Sequence, residues 1–207
     1  MIVNPEIEAY IHSLLPERDE VVAEMEAHAA EHNVPIIGPA VATMLASLVR
    51  LTGAKQIFEL GSAIGYSTIW LARAAGDGAE VHYSDGSAEN AERARGYFRR
   101  AGVEDRITVH VGDALGALAS TRGEFDFIFN DVDKDGYPGV LEKAPDRLRL
   151  GGLFVTDNTL WHARVLDPQL PEDFGVVEFN RKIFNRKDLD VWISPLRDGV
   201  TVARKRY

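Results

Sequence analysis

The stretch Gln56-Ile-Phe-Glu-Leu-Gly-Ser-Ala-Ile-Gly-Tyr-Ser67 decides the fold of this chain. Its first part, Gln56–Leu60, is a short run with the β-branched and aromatic residues that are typical of a buried strand. Gly61 and Gly65 follow directly, and glycine lets the backbone turn tightly and approach a ligand. A helix then begins at Ser67–Thr68, where free N–H groups can bind an anion. The stretch therefore predicts a strand, a ligand-binding turn and a helix, in that order.

Strands and helices alternate along most of the chain after this unit. The further strands are predicted at Glu80–Ser84, Ile107–Val111, Phe125–Asn130 and Gly152–Thr156. The helices between the strands are predicted near Thr68–Ala75, Ala88–Ala101, Ala114–Ala119 and Pro138–Leu150. Because a helix joins each strand to the next, the strands should run parallel, with helices on both faces of the sheet. The pattern predicts an α/β fold with a mostly parallel sheet.

The end of the chain breaks this alternation. Asp190–Leu196 and Val200–Lys205 have the composition of strands, and only Arg197-Asp-Gly199 separates them. A segment this short cannot hold a crossover helix and is typical of a hairpin. We therefore predict that the last two strands pair antiparallel, a feature that a wholly parallel dinucleotide-binding sheet would lack.

Helices are also predicted before the first strand. Asn4 can cap a first helix, with Pro5 at its first position. A second helix should start at Pro16, because apolar residues recur after it at helical spacing. After a loop at Asn33–Pro39, a third helix should run from about Pro39 to Leu51.

Composition limits the class of protein. A chain of 207 residues fits one domain. Residues 53–207 would form the sheet and its crossover helices, and the N-terminal helices of residues 1–52 would pack on that core. The net charge of -9 argues against nucleic acid as a partner, because phosphate binding needs a basic face. No cysteine is present, which excludes disulfides and thiolate metal sites. With neither a signal peptide nor a membrane-spanning run apparent, we expect a cytoplasmic protein.

The first two strand ends predict a nucleoside-type cofactor. Asp85 ends the second strand, where a carboxylate can accept both ribose hydroxyls. Asp113 ends the third strand and could hold an adenine or cap a helix. The glycine spacing G-x-x-x-G differs from the G-x-G-x-x-G of dinucleotide sites, which disfavours a pyrophosphate ligand. The alternative is that Gly61 and Gly65 only form a structural turn and that Asp85 is a turn residue.

The next two strand ends predict a metal site. Asp131 and Asp157 end two strands that should be neighbours, and Asn158 follows directly. Carboxylate and amide oxygens suit a hard divalent cation such as Mg²⁺. Lys134 is the candidate general base, although nearby carboxylates keep it charged unless a cation offsets them. The alternatives are that the acids are solvated loop residues and that Lys134 is an ion-pair partner.

Four motifs together resemble a known family. The sequences ELGSAIGYS (59–67), FDFIFNDVDKDGY (125–137), GGLFVTDNTLW (151–161) and SPLRDG (194–199) resemble the cation-dependent O-methyltransferases related to catechol and caffeoyl-CoA O-methyltransferases. The resemblance runs from about Ile36 to the C-terminus. It implies S-adenosylmethionine as cofactor, a Rossmann-like seven-stranded sheet with an antiparallel last strand, and a homodimer.

The resemblance also assigns roles to residues, position by position. The implied cofactor-binding residues are Glu59, Gly61, Ser62, Ala63, Gly65, Ser67, Asp85, Gly86, Asp113, Ala114 and Asp131. The implied metal ligands are Asp131, Asp157 and Asn158, and the implied catalytic residues are Lys134 and Asp131. The implied acceptor is a small aromatic vicinal diol. Asn130 replaces the apolar residue that usually precedes the metal-binding Asp, and Trp161–Phe179, which should shape the acceptor pocket, matches no particular family member.

Three other functions compete with this one. An S-adenosylmethionine methyltransferase could act without metal on a non-catechol small molecule. An NAD-dependent oxidoreductase would need G-x-G-x-x-G and a parallel final strand, and the sequence predicts neither. A binding module without turnover would not need the combination of Asp131, Lys134, Asp157 and Asn158.

Overall fold

A seven-stranded sheet forms the centre of the protein, in a computed structural model that describes residues 2–207. Its strands are β1 (Gln56–Leu60), β2 (Glu80–Asp85), β3 (Ile107–Val111), β4 (Phe125–Asn130), β5 (Leu148–Thr156), β6 (Leu189–Ser194) and β7 (Val200–Lys205). The α-helices are α1 (Pro5–Leu14), α2 (Glu20–His32), α3 (Gly38–Thr52), α4 (Tyr66–Ala75), α5 (Ala88–Arg100), α6 (Ala114–Ser120), α7 (Tyr137–Lys143) and α8 (Pro171–Asn185). Short 3₁₀ turns occupy Glu104–Arg106, Lys134–Gly136, Pro145–Arg147 and Trp161–Leu166.

The strand order in the sheet is β3-β2-β1-β4-β5-β7-β6. Strands β1 to β5 pair parallel, whereas β7 runs antiparallel to both of its neighbours, β5 and β6. The α/β fold with a mostly parallel seven-stranded sheet and an antiparallel last strand is therefore confirmed. From β1 the chain adds strands to one side of the sheet and then crosses to β4, so the strand order reverses between β1 and β4.

Two hydrophobic cores cover the two faces of the sheet. In β4, Phe127 and Phe129 point into the core that α2, α3, α4 and α5 cover. Ile128 points into the opposite core, which α6, α7 and α8 cover. Because side chains alternate between the faces of a strand, a strand buried on both faces must be apolar throughout. This explains the apolar run from Phe127 to Phe129, which lies between the half-buried Asp126 and the fully buried Asn130.

The first two helices begin at side-chain caps. The Asn4 side chain accepts a hydrogen bond from the Glu6 N–H at 2.8 Å, and Pro5 occupies the first helical position, as predicted. The second helix begins at Glu20 instead of Pro16, because the Asp19 carboxylate accepts the Val21 N–H at 3.0 Å and caps the helix there.

Two further helix predictions differ from the structure. The helix predicted at Pro138–Leu150 ends at Lys143, and β5 already begins at Leu148. Pro145 cannot donate the next helical hydrogen bond, so the chain passes through a 3₁₀ turn into the strand. Helix α8 was not predicted, although Pro171 near its start and acids in its first turn are helix-start signals.

Gly61 and Gly65 are required by close packing within the protein. Gly61 has φ +80°, and a Cβ there would lie 2.6 Å from the Asp131 carbonyl oxygen. Gly65 has φ +83°, and a Cβ there would lie 2.5 Å from the Phe98 ring. The turn after β1 is therefore clamped between the end of β4 and helix α5. This packing, in addition to any ligand, accounts for the two glycines.

We expect Gly65→Ala to destabilise the protein by about 1–3 kcal/mol more than Gly53→Ala, because it adds overpacking to backbone strain. Gly53 is the matched control, since it also has a left-handed φ (+62°) but no atom within 4 Å of the added Cβ. Urea unfolding of both variants measures the difference. Equal losses of unfolding free energy would show that the contact with Phe98 relaxes without cost.

Candidate active site

One cleft opens along the carboxyl ends of the central strands and encloses about 1550 Å³. It lies where the strand order reverses between β1 and β4, which is where open α/β sheets bind ligands. The predicted site residues that line it are Gly61, Ala63, Asp85, Gly86, Asp113, Ala114, Asp131, Lys134, Asp157 and Asn158. The structure thus brings the predicted nucleoside, metal and base positions into one cleft.

At the nucleoside end, Asp85 organises two turns. Its Oδ2 accepts the Ala63 N–H at 2.9 Å, and its Oδ1 accepts the Ser87 N–H at 2.9 Å and the Asn90 side-chain amide at 3.1 Å. The carboxylate therefore fixes the glycine-rich turn relative to β2 while it lines the cleft. Asp113 caps α6 by accepting the Gly116 N–H at 2.7 Å, which was one of its two predicted roles.

Four predicted cofactor-binding residues are buried and do not line the cleft: Glu59, Ser62, Gly65 and Ser67. Ser62 Oγ accepts the Ser84 N–H at 3.1 Å, which ties the turn to β2. These residues support the turn from inside the protein. Their direct contact with a cofactor stays a prediction.

Glu59 is the most deeply buried acid beneath the turn. Thr68 Oγ1 donates a hydrogen bond to its Oε2, whereas its buried Oε1 has no hydrogen-bond partner within residues 2–207. Burial raises the pKa of Glu59 to about 7, and the hydroxyl groups of Ser67, Thr68 and Ser62 limit the rise. The nearby Asp131 charge adds to the rise. Glu59 is therefore poised to exchange a proton near neutral pH.

At the other end of the cleft, two carboxylates follow adjacent strands. Asn130 pairs with Thr156 in the β4–β5 register, so Asp131 and Asp157 emerge side by side. Burial raises the pKa of the Asp131 carboxyl, and the Lys134 charge lowers it. Burial and the Asp131 charge both raise the pKa of the Asp157 carboxyl. The two carboxylates repel each other when both are charged, and a nearby positive charge would offset this repulsion.

The residues around Asp157 fit a cation. Asp157 is buried and its Oδ1 has no hydrogen-bond partner within residues 2–207. An orphaned carboxylate oxygen in a cleft is a ready ligand, and the Asn158 amide beside it suits the same hard ion. Across the described chain, no three His, Cys, Asp or Glu side chains are grouped to hold a metal. A cation here would therefore be held by two carboxylates and one amide, with other ligands from water or substrate.

Lys134 completes this end of the cleft. Its Nζ lies 2.8 Å from Asp131 Oδ1 and donates to it. The same Nζ lies 5.3 Å from the centre of the Tyr137 ring and 5.5 Å from that of Trp161. Lys134 therefore forms an ion pair, which was the predicted alternative to its role as a general base. The aromatic neighbours leave the ammonium largely shielded from water.

The segment from 159 to 170, which we call the acceptor loop, borders Lys134. Trp161, His162 and Ala163 have φ values of 45°, 52° and 64°, a left-handed conformation that costs about 1–2 kcal/mol per non-glycine residue. Such strain persists only where surrounding contacts hold the backbone in place. His162, whose N–H donates to Asp198 Oδ1 at 2.5 Å, is held in this way by the β6–β7 hairpin.

Asp173 on α8 holds the other side of the acceptor loop. Its side chain is buried and accepts hydrogen bonds from Trp161 Nε1 at 2.9 Å, Gln169 N–H at 2.9 Å and Leu170 N–H at 3.0 Å. It also pairs with Arg164 at 2.7 Å. Asp173 was missed at the sequence level, because the helix that carries it was not predicted.

Other residues of the site were also missed. Asn90, Arg164, Arg197 and Asp198 line the cleft without having been assigned to it. Arg197 and Asp198 lie in the quoted SPLRDG motif, which was a usable signal. No local pattern pointed to Asn90 or Arg164.

Residues 6–206 match a family described as O-methyltransferase. The chain belongs to the O-methyltransferase family. Among its curated relatives, this O-methyltransferase is 31% identical to caffeoyl-CoA O-methyltransferase 1 from Eucalyptus globulus, over 93% of this chain and 85% of that relative. It is 30% identical to caffeoyl-CoA O-methyltransferase from Petroselinum crispum, over 93% and 87%. The family predicted from the four motifs and the class of enzyme are confirmed.

Solved structures agree with this assignment. An O-methyltransferase from Bacillus cereus, in complex with SAH, superposes with a TM-score of 0.88 at 29% identity and covers 97% of both chains. The O-methyltransferase TomG from Streptomyces achromogenes, in complex with SAM, has a TM-score of 0.87 at 28% identity and covers 98% of this chain and 96% of its own.

None of the helices within residues 2–207 of this O-methyltransferase combines the length and the apolarity that a membrane crossing requires.

We expect Glu59→Gln to change how stability depends on pH. The folded protein keeps the Glu59 proton up to about pH 7, whereas a free glutamate loses it near 4.5, so wild-type stability falls as the pH rises through this window. Glutamine lacks this titration but keeps an acceptor for Thr68. The unfolding free energy of the variant relative to the wild type should therefore rise by about 2–3 kcal/mol between pH 5 and pH 8.

Urea unfolding at both pH values, without metal, measures this difference. Glu124→Gln is the control, because Glu124 is exposed at the opposite edge of the sheet. Parallel pH profiles for wild type and Glu59→Gln would contradict the raised pKa of Glu59.

Proposed function

We propose that this protein transfers the methyl group of S-adenosylmethionine to one hydroxyl of a small aromatic vicinal diol, with the help of a divalent cation. The observation that carries the proposal is the cleft itself, which joins a strand-end carboxylate suited to ribose, Asp85, to the acid pair Asp131 and Asp157. The unpartnered Oδ1 of Asp157 supports the cation. Relatives named as caffeoyl-CoA O-methyltransferases support the phenolic acceptor.

The nucleoside end of the cleft fits the proposed cofactor. S-adenosylmethionine supplies a methyl group on a sulfonium when it is bound. Asp85 already accepts three hydrogen bonds, so about one acceptor site, on Oδ2, is left for a ribose hydroxyl. Ala114 and Leu115 offer an apolar surface near the end of β3. The SAM and SAH named in the two solved relatives support this choice of cofactor.

The other end fits the proposed cation and acceptor. Asp131, Asp157 and Asn158 would hold the ion, which supplies Lewis acidity that favours an ionised acceptor hydroxyl. Ionising a phenol, with a pKa of about 10, at neutral pH costs about 4 kcal/mol. A cation that offsets the two carboxylates would favour the neutral amine of Lys134, which lies close enough to Asp131 to take up the proton from a hydroxyl bound there.

Orientation contributes more than proton transfer. Holding the two reactants in contact can lower a barrier by about 7–11 kcal/mol, whereas general base catalysis contributes about 3–5 kcal/mol. Asp131 takes part in positioning both the acceptor and Lys134. Trp161, which contacts Lys134 and is held by Asp173, would wall the acceptor ring. Loss of Asp131 should therefore reduce turnover more than loss of Lys134.

A second candidate is methyl transfer without a metal to a non-catechol small molecule. The ion pair between Lys134 and Asp131 favours it, because this pair compensates one of the two carboxylates without a cation. The two candidates differ in their response to a chelator.

We expect methylation of catechol by the purified protein to fall to background in EDTA and to return with Mg²⁺, because the cation holds and activates the acceptor. Product formation from S-adenosylmethionine measures this. As an independent readout, calorimetry should show Mg²⁺ binding that Asp157→Asn weakens at least about tenfold. Turnover that is insensitive to the chelator would favour the second candidate.

We expect Lys134→Ala to lower kcat by about 10²–10⁴-fold and to leave the Kd for S-adenosylmethionine within about threefold of wild type. Asp131→Asn should lower kcat further. Steady-state kinetics and calorimetry on the same preparations separate the two effects. A large loss of cofactor affinity in Lys134→Ala would instead make this lysine structural.

The predicted homodimer stays a proposal. Helix α1 leaves Ile7, Tyr10 and Leu14 between 52% and 66% exposed, which is an apolar surface that a second copy could cover. A location in the cytoplasm, and the absence of nucleic acid and membrane partners, likewise stay predictions.

A further inference from the structure

The cationic side chains around the acceptor end of the cleft are already compensated. Lys134 pairs with Asp131 at 2.8 Å. Arg164 pairs with the buried Asp173 at 2.7 Å and lies over the Trp161 ring, 5.6 Å from its centre. Neither cation is therefore free to bind an anionic group on an acceptor without giving up a carboxylate partner.

The remaining basic residues are also engaged. Arg197 Nη1 donates to the Ile36 carbonyl at 2.7 Å, and this arginine forms no ion pair within 4 Å among residues 2–207. Its charge lowers the pKa of the Asp131 carboxyl. His162 Nδ1 lies 3.5 Å from Asp198 Oδ1. The buried Asp198 keeps its second oxygen, Oδ2, without a hydrogen-bond partner in the described part of the chain.

Three carboxylates at the mouth of the same cleft have no cationic partner within residues 2–207. We call Asp133, Asp135 and Glu172 the acidic rim, because all three are exposed and line the cleft. Nine carboxylates but only three lysine or arginine side chains line the cleft within residues 2–207, and the acidic rim places three of these carboxylates at the mouth. The lining therefore stays negative when one divalent cation is added at Asp131 and Asp157.

The packing of α8 holds the acidic rim together. A Cβ on Gly175 would lie 2.3 Å from the Lys134 carbonyl oxygen and 3.0 Å from Asp135 Cα. Helix α8 therefore touches the backbone that carries Lys134 and Asp135. Glu172 lies one turn before Gly175 on the same helix, so this contact places it at the same mouth as Asp135.

We propose that the acceptor is a vicinal diol whose side group is neutral or a protonated amine, and that Asp135 and Glu172 select against anionic acceptors, coenzyme A esters above all. This inference rests on the proposed function and names its substrate class. A coenzyme A ester carries several negative charges on its phosphates, and the carboxylates that line this cleft outnumber its lysine and arginine side chains. The acceptor would thus differ from the one in the names of the plant relatives.

The experiment compares four acceptors that share one dihydroxyphenyl ring: dopamine, catechol, dihydroxyphenylacetate and caffeoyl-CoA. With Mg²⁺ and S-adenosylmethionine, kcat/KM should be about tenfold higher for dopamine than for dihydroxyphenylacetate, since each exposed charge pair changes affinity about two- to fivefold. Caffeoyl-CoA should be the poorest of the four. The difference should shrink between about 0.01 M and about 0.5 M salt, because salt screens exposed charges.

The double variant Asp135→Asn/Glu172→Gln should reduce the preference for dopamine over dihydroxyphenylacetate to about threefold or less. The matched control is Asp105→Asn/Glu124→Gln, which removes the same charge from exposed acids at the amino ends of β3 and β4. The control should keep the wild-type preference, and circular dichroism confirms that both proteins are folded.

The possible failures are distinguishable. If none of the four diols is methylated with Mg²⁺ present, the proposed function fails. If diols are methylated but caffeoyl-CoA has the highest kcat/KM, or if the control variant changes the preference as much as the rim variant does, the proposed function stands and the acceptor inference is overturned.

Discussion

The register between β4 and β5 is the constraint on which the site depends. Because Asn130 lies opposite Thr156, the residues that follow, Asp131 and Asp157, leave the sheet at the same level. Parallel strands carry their carboxyl ends to one edge, so this acid pair opens into the cleft that also receives the turn after β1. A shift of one residue in this register would turn one carboxylate toward the opposite face of the sheet.

Placing two acids together in a buried position destabilises the folded protein, and the surrounding residues limit that cost. Lys134 pairs with Asp131, the Arg197 charge acts on both acids, and Tyr137 donates to the Asp157 carbonyl at 2.8 Å. The unpartnered oxygen of Asp157 remains. An unsatisfied buried group is a cost that proteins retain at sites where a ligand supplies the missing partner. The arrangement that would bind the proposed cation therefore lowers the stability of the protein without it.

The proposed acceptor side of the cleft is built differently from the proposed cofactor side. The cofactor side consists of strand ends and one glycine-rich turn, whose conformation follows from local packing against Phe98 and Asp131. The acceptor loop is a strained segment that two buried acids, Asp173 and Asp198, hold from different elements. If the proposed roles hold, exchange of residues in this loop and its rim would change the acceptor while the sheet and the cofactor end stay the same.

The sequence by itself determined the parallel sheet, the antiparallel end and the strand-end acids that line the cleft. These features depend on local patterns: apolar runs, glycine turns and acids at strand ends. Tertiary structure alone decided which predicted residues face the cleft, such as Asp85, and which lie beneath it, such as Glu59. It also decided the pairing of Asp173 with the acceptor loop and of Gly175 with the backbone at Lys134. These contacts join segments far apart in the chain, and no periodicity within one segment records which distant segment will pack against it.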